Sequence, residues 1–177
     1  MKKIALLLVM VVVLGAVLAG AGTADAAKYV AIIWEGKSEM TNRTAMGFLA
    51  KVRTLAPDLE VKQYRQLKNM QEAEEAFRES EKTMDGIVFL RSSGAQFLAK
   101  NDPKVPSFVG GCNNPAELGV VKNLNAPEGK ITGVTYFIPY EKRFEIIKSL
   151  FPSASRVGIL VEQGHPSGLI DAQGTRD

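Results

Sequence analysis

The sequence predicts an α/β protein built on a doubly wound parallel sheet. Short apolar runs rich in β-branched residues recur along the chain, and most are followed by segments with apolar residues three and four apart. Polar or glycine-rich stretches fall at the ends of the apolar runs. Repeated strand–helix–strand units of this length build a parallel sheet with helices on both faces.

The first strand is the continuous apolar run Tyr29-Val-Ala-Ile-Ile-Trp34, the pattern of a strand buried on both faces. Ala45, Phe48, Leu49, Val52 and Leu55 then form one face of a helix that Pro57 stops. Leu59 to Tyr64 alternates as an edge strand does, and Asn69-x-x-Glu72 is a capping box opening a helix with Met70, Ala73, Ala76 and Phe77 inward. The third strand is Gly86 to Leu90, followed by an Arg91-Ser92-Ser93-Gly94 loop and a short helix from Ala95 to Lys100. Pro106 to Val109 is a fourth strand running into Gly110-Gly111-Cys112-Asn113-Asn114, and Ile131 to Tyr136 is a fifth. After Pro139 comes an amphipathic helix with Phe144, Ile147, Leu150 and Phe151 on one side. Arg156 to Val161 reads as a sixth strand, 162–167 as a turn, and Leu169 begins another helix. The first five strands fit the flavodoxin-like order 2-1-3-4-5, with Tyr29–Trp34 central.

The amino terminus sets the compartment. Met1-Lys2-Lys3 is a short positive region, Ile4 to Leu18 is uncharged and mostly aliphatic, and Ala24-Asp25-Ala26 has the small-x-small form of a cleavage site before Ala27. Residues 1–26 are therefore expected to be a signal peptide, leaving a periplasmic or secreted protein with no stable membrane insertion. A retained anchor would need about 20 apolar residues, and no cysteine near the cleavage site offers a lipid attachment point.

Composition excludes several classes. The net charge of +3 is partly carried by Lys2 and Lys3, and the remaining basic residues are interspersed with acids, so nucleic-acid binding has no electrostatic footprint. A single cysteine, Cys112, allows no intramolecular disulfide and reads as a buried filler. With one histidine, His165, there is no zinc cluster, and a catalytic thiol has no nearby partner. No G-x-S-x-G elbow or converging carboxylate pair points to an enzyme, and no cofactor is expected. A phosphorelay receiver would need acidic residues after strand three, where Leu90-Arg91-Ser92 stands.

Parallel α/β sheets bind ligands beyond the carboxyl ends of their strands. Four polar loops fall there: Trp34-Glu35-Gly36, Arg91-Ser92-Ser93, Asn113-Asn114 and Thr135-Tyr136. The first three are each expected to precede a helix, whose free N–H groups favour anions.

The segment Pro127-Glu-Gly-Lys-Ile-Thr-Gly-Val-Thr135 resembles the P-G-G-N-V-T-G-V-S segment of the periplasmic substrate-binding proteins of ABC transporters, of the subfamily associated with tryptophan and tyrosine uptake. The similarity extends through Pro139-x-Glu141-Lys142-x-x-Glu145-Ile146-Ile147, Phe151-Pro152-x-Ala154 and Arg156-Val-Gly-Ile-Leu160. Asn114-Pro115-x-x-x-Gly119-Val120-Val121 resembles the family's D-P-V-G-A-G-L-V. Residues 114–160 carry the specific resemblance, and the preceding ninety match mainly in pattern.

The resemblance implies a type I periplasmic binding fold, in which two flavodoxin-like lobes close by a hinge on a small solute. Lobe I would be 27–136, and 137–177 the crossover and an incomplete lobe II, as in a truncated gene product or after a changed reading frame over Ala172–Asp177. The implied function is the extracytoplasmic solute-binding component of an ABC uptake system, with a membrane permease as partner and a small polar or aromatic, amino-acid-like solute. A sensory module of the same fold, or a non-functional fragment, is the alternative.

Carried over position by position, the ligand contacts would be Trp34 and Glu35, Ser92 and Ser93, Asn113 and Asn114, Thr135 and Tyr136, and Ser167 in the 164–167 stretch. Ser92 and Ser93 would donate to a solute carboxylate, Glu35 would accept from its ammonium, and Trp34 and Tyr136 would wall its apolar part. Arg91 is unusual at its position and is open between pairing an anionic ligand and being solvated. His165 reads as a turn residue.

Overall fold

The computed structural model describes residues 29–176. The leader and its cleavage site lie outside the described residues. Five strands form one parallel sheet in the order β2-β1-β3-β4-β5. They are β1 (Tyr29–Glu35), β2 (Glu60–Leu67), β3 (Gly86–Leu90), β4 (Ser107–Cys112) and β5 (Ile131–Thr135). The helices are α1 (Glu39–Leu55), α2 (Met70–Thr83), α3 (Arg91–Lys100), α4 (Tyr140–Leu150) and α5 (Gly168–Arg176).

Strand alternation sorts the central residues between two cores. Ala31 and Ile33 of β1, Ile87 and Phe89 of β3 and Val109 of β4 face α2 and α3, joining Ala73, Phe77, Phe97 and Leu98. Phe77, Phe89 and Phe97 pack ring against ring, with centroids 5.0–5.8 Å apart. Val30, Ile32, Trp34, Val88 and Leu90 face the other way, onto Ala45 of α1. Gly94 lets α3 lie close on β3, because a Cβ there would stand 2.5 Å from the Phe89 ring.

Local signals set the helix starts. The Ser38 side chain accepts from the Thr41 N–H at the head of α1. Asn69 accepts from the Glu72 N–H at 3.0 Å, while the Glu72 carboxylate accepts from Lys68 N–H, one residue earlier than a strict capping box would have it.

Four sequence expectations are corrected. Helix α3 begins at Arg91, directly after β3, rather than at Ala95. Ser-Ser-Gly reads as a loop in sequence, but Arg91 takes a left-handed φ of 72° and turns the chain from strand to helix in one residue. Strand β4 continues past Val109 to Cys112, because pairing with β5 resumes at Cys112–Thr135 after a register shift. No helix follows Asn114; Pro115 to Gly119 is a hydrogen-bonded turn ended by Gly119 at φ 77°. Arg156–Val161 is no strand. A strand is defined by pairing, and no described strand lies beside this segment, whose Leu160 is fully exposed. The apolar side of α4 is likewise exposed at Phe144 and Leu150.

Beyond α4 the chain folds back onto the carboxyl edge of the sheet. The Tyr140 hydroxyl donates to the Ile170 carbonyl at 3.2 Å, and Ile170 packs against the α2/α3-side core. Among the described residues no helix is long and apolar enough to cross a membrane.

Candidate functional site

The carboxyl ends of β1, β3, β4 and β5 converge on a cavity of about 170 Å³. Glu35, Arg91, Ser92, Ser93 and Tyr136 line it, and His165 and Pro166 close it from the returning segment. This is smaller than the roughly 300–1,000 Å³ of pockets for drug-sized ligands.

One wall is a charged cluster. Arg91 Nη1 donates to the Glu35 main-chain carbonyl at 2.7 Å and lies 3.3 Å from Glu35 Oε1. The Ser93 hydroxyl donates to the same Oε1 at 2.5 Å. Glu35 Oε2 is buried without a hydrogen-bond partner among the described residues. Arg91 is thus paired with the neighbouring strand end through Nη1.

The floor is a polar network. The Ser92 hydroxyl accepts from the Asn113 main-chain N–H at 3.1 Å and lies 3.0 Å from the Ser167 hydroxyl. The Asn113 side chain accepts from the Asn114 N–H at 2.8 Å and donates to Asp171 at 2.6 Å. Asn114 donates to Glu117 at 2.7 Å and accepts from the Ala116 N–H, so it shapes the turn. The Thr135 hydroxyl bridges the carbonyls of Cys112 and Asn113 at 2.9 and 2.7 Å. Burial raises the Tyr136 phenol above its ordinary range, so it stays a neutral donor.

Of the nine residues singled out in the sequence, Glu35, Ser92, Ser93 and Tyr136 line the cavity. Asn113, Asn114 and Ser167 are buried supports around it, and the more exposed Thr135 braces the end of β4 through its hydroxyl. Trp34 is not a wall. Strand alternation turns it to the α1 side, where it is fully buried, with Arg65 5.8 Å from its ring. Ser38, Met40 and Gly111 also line the cavity. Ser38 and Met40 were within reach of sequence, since they directly follow the first strand-end loop. His165 both turns the chain, accepting from the Ser167 N–H at Nδ1 (3.2 Å), and faces the cavity. Asp171 and Arg143, paired at 3.0 Å, had no sequence signal, because their role depends on how 162–176 returns. No cluster of metal-ligating side chains occurs among the described residues.

A five-stranded parallel sheet in this order, with a polar cavity at its carboxyl edge, defines an α/β ligand-binding lobe. Residues 57–169 match the family model for ABC transporter substrate binding proteins, and the chain belongs to that family. It is similar to a tyrosine-binding protein of Clostridioides difficile (strain R20291), 25% identical over 93 residues, which cover 52% of this chain and 27% of that protein. A conserved domain protein from Vibrio cholerae shares its fold with a TM-score of 0.70 at 20% identity, over 84% of this chain and 52% of that one. An ABC domain from Streptococcus pneumonia, solved in complex with L-Trp, does so with a TM-score of 0.66 at 18% identity, over 83% and 51%. The chain thus spans about half the length of those solved structures.

Proposed function

We propose that this chain is the solute-binding component of an ABC uptake system and takes a small polar or aromatic, amino-acid-like solute at the carboxyl edge of its sheet. The observation that carries the reading is the cavity formed jointly by the ends of β1, β3 and β5 in a chain of the substrate-binding family. The tyrosine-binding relative and the L-Trp-bound neighbour support the solute class. Ser93, Glu35 and Arg91 present the polar end of the site, Tyr136 its aromatic side, and Ser92, Asn113, Asn114, Thr135 and Ser167 hold these in place. No catalytic step is assigned to the site.

Residues 27–136 form lobe I in this reading, and 137–177 the crossover and the first part of lobe II. The leader 1–26 is removed after Ala26, the protein works in the periplasm or outside the cell, and a membrane permease is its partner. Mass spectrometry of the exported species tests the cleavage: a mass beginning at Ala27 supports it, and an exported species beginning at Met1 refutes it.

Binding is tested by titrating the isotope-labelled chain with L-tryptophan and L-tyrosine and following amide resonances. Saturable shifts are expected at Glu35, Ser92, Ser93 and Tyr136. Ser93→Ala should weaken the binding by about tenfold, the cost of losing a hydrogen bond in a charged cluster. Shifts confined to other surfaces would overturn the site.

A further inference from the structure

Arg91 holds a backbone conformation that few non-glycine residues adopt, φ 72°, and such conformations persist only where the surroundings impose them. Here its own side chain supplies the restraint. Both contacts to Glu35, to the carbonyl at 2.7 Å and to Oε1 at 3.3 Å, use Nη1. Gly36 makes room for them, since a Cβ there would lie 2.6 Å from Nη1. A guanidinium carries five N–H donors in a planar fork; Arg91 lines the cavity, and no described residue accepts from its Nη2 or Nε. The neighbouring hydroxyls are engaged: Ser93 donates to Glu35, and Ser92 accepts from the Asn113 N–H beside Ser167. Glu35, the carboxylate of the wall, thus already faces a cation through Oε1, while its Oε2 is buried away from the cavity's solvent. Of the charged groups on this wall, the one with donors that no described residue accepts from is that cation.

We infer that Arg91 determines which end of the solute is read. Its guanidinium stands where Glu35 would otherwise take a solute ammonium, and its outer edge pairs with the solute's carboxylate. The site therefore selects aromatic carboxylates and is nearly indifferent to an α-amino group. The inference rests on the reading of this cavity as the solute site. A bidentate guanidinium–carboxylate pair is the arrangement for which arginine geometry is suited and lysine is not.

The test compares the parent chain with Arg91→Gln and Arg91→Lys, using three probes: L-tryptophan, indole-3-propionate (no amine) and tryptamine (no carboxylate). Calorimetry gives affinities and amide shifts give location. The parent should bind L-tryptophan and indole-3-propionate within about threefold of each other and tryptamine at least about tenfold more weakly, as expected for the loss of one charged hydrogen-bonded pair. Arg91→Gln should reverse the order of the last two, and Arg91→Lys should restore part of it; a residue that only shaped the turn would weaken all three alike. The parent's ranking decides the matter even if a variant fails to fold. A parent that prefers L-tryptophan to indole-3-propionate by tenfold or more, or an unchanged ranking in Arg91→Gln with shifts still at the cavity, overturns the inference and leaves the binding function standing. Absence of cavity shifts with every probe in every form overturns the function, and this inference with it.

Discussion

The side-chain amide of Asn113 donates to the carboxylate of Asp171 at 2.6 Å, joining the end of β4 to α5 across 58 residues of sequence. Asp171 also pairs with Arg143 of α4 at 3.0 Å, so one carboxylate ties both returning helices to the sheet edge. Asp171→Ala leaves the buried Asn113 amide without its acceptor, at a cost of about 1–3 kcal/mol. Hydrogen exchange should then quicken by about tenfold across 168–176 and stay unchanged in β1 and β3. Unchanged exchange in α5 would show that Ile170 packing alone holds the helix.

Phe77 stacks on Phe89 and meets Phe97 edge-on, fully buried between helix and sheet. Phe77→Ala removes a large side chain from a site with backbone on both sides and should cost about 3–5 kcal/mol. Leu55→Ala, on the exposed end of α1, should change stability by less than about 0.5 kcal/mol. Denaturant unfolding of the two variants measures the contrast.

Gly94→Ala sets a helix-propensity gain against a collision. The added methyl would stand 2.5 Å from the Phe89 ring, which is itself fully buried and has little room to move. Overpacking of this kind costs about 1–3 kcal/mol, more than the roughly 1 kcal/mol that alanine gains over glycine inside a helix. Thermal unfolding should show a net loss, and a raised midpoint would mean that α3 can shift away from β3 freely.

Burial pushes the Cys112 thiol up to about 11 from an ordinary 9.0. The folded chain therefore holds this proton more tightly than the unfolded chain does. The stabilisation is complete below pH 9 and drains as pH rises towards 11, by at most about 1.4 kcal/mol per pH unit. Between pH 8 and pH 11 the parent should lose about 2 kcal/mol more than Cys112→Ala in denaturant unfolding. The same burial should leave the native thiol unlabelled by an alkylating reagent at pH 8.

The strands that were legible in sequence are those whose signal is their own composition. Tyr29–Trp34 and Gly86–Leu90 are continuous apolar runs because both faces of the sheet cover them, and that demand is visible residue by residue. The start of α3 was not legible, since Arg91-Ser92-Ser93-Gly94 carries loop signals that one left-handed residue overrides. Nor was the extension of β4 through two glycines, which depends on β5 resuming its pairing at Cys112. Arg156–Val161 has the composition of a strand but no strand beside it, and composition cannot supply a partner.

By itself the sequence determined the sheet, its order and the edge at which polar residues gather, because periodicity and chain connectivity leave few ways to bury these apolar runs. It also singled out Glu35, Ser92, Ser93 and Tyr136. Tertiary structure alone decided what each can do. It turned Trp34 into the core by strand alternation, engaged Ser92 with Asn113 and Ser167, and set the Arg91 guanidinium against Glu35 from a strand end 56 residues away. Hydrogen-bond partners distant in sequence are set by how elements pack, and no local pattern of residue types records them.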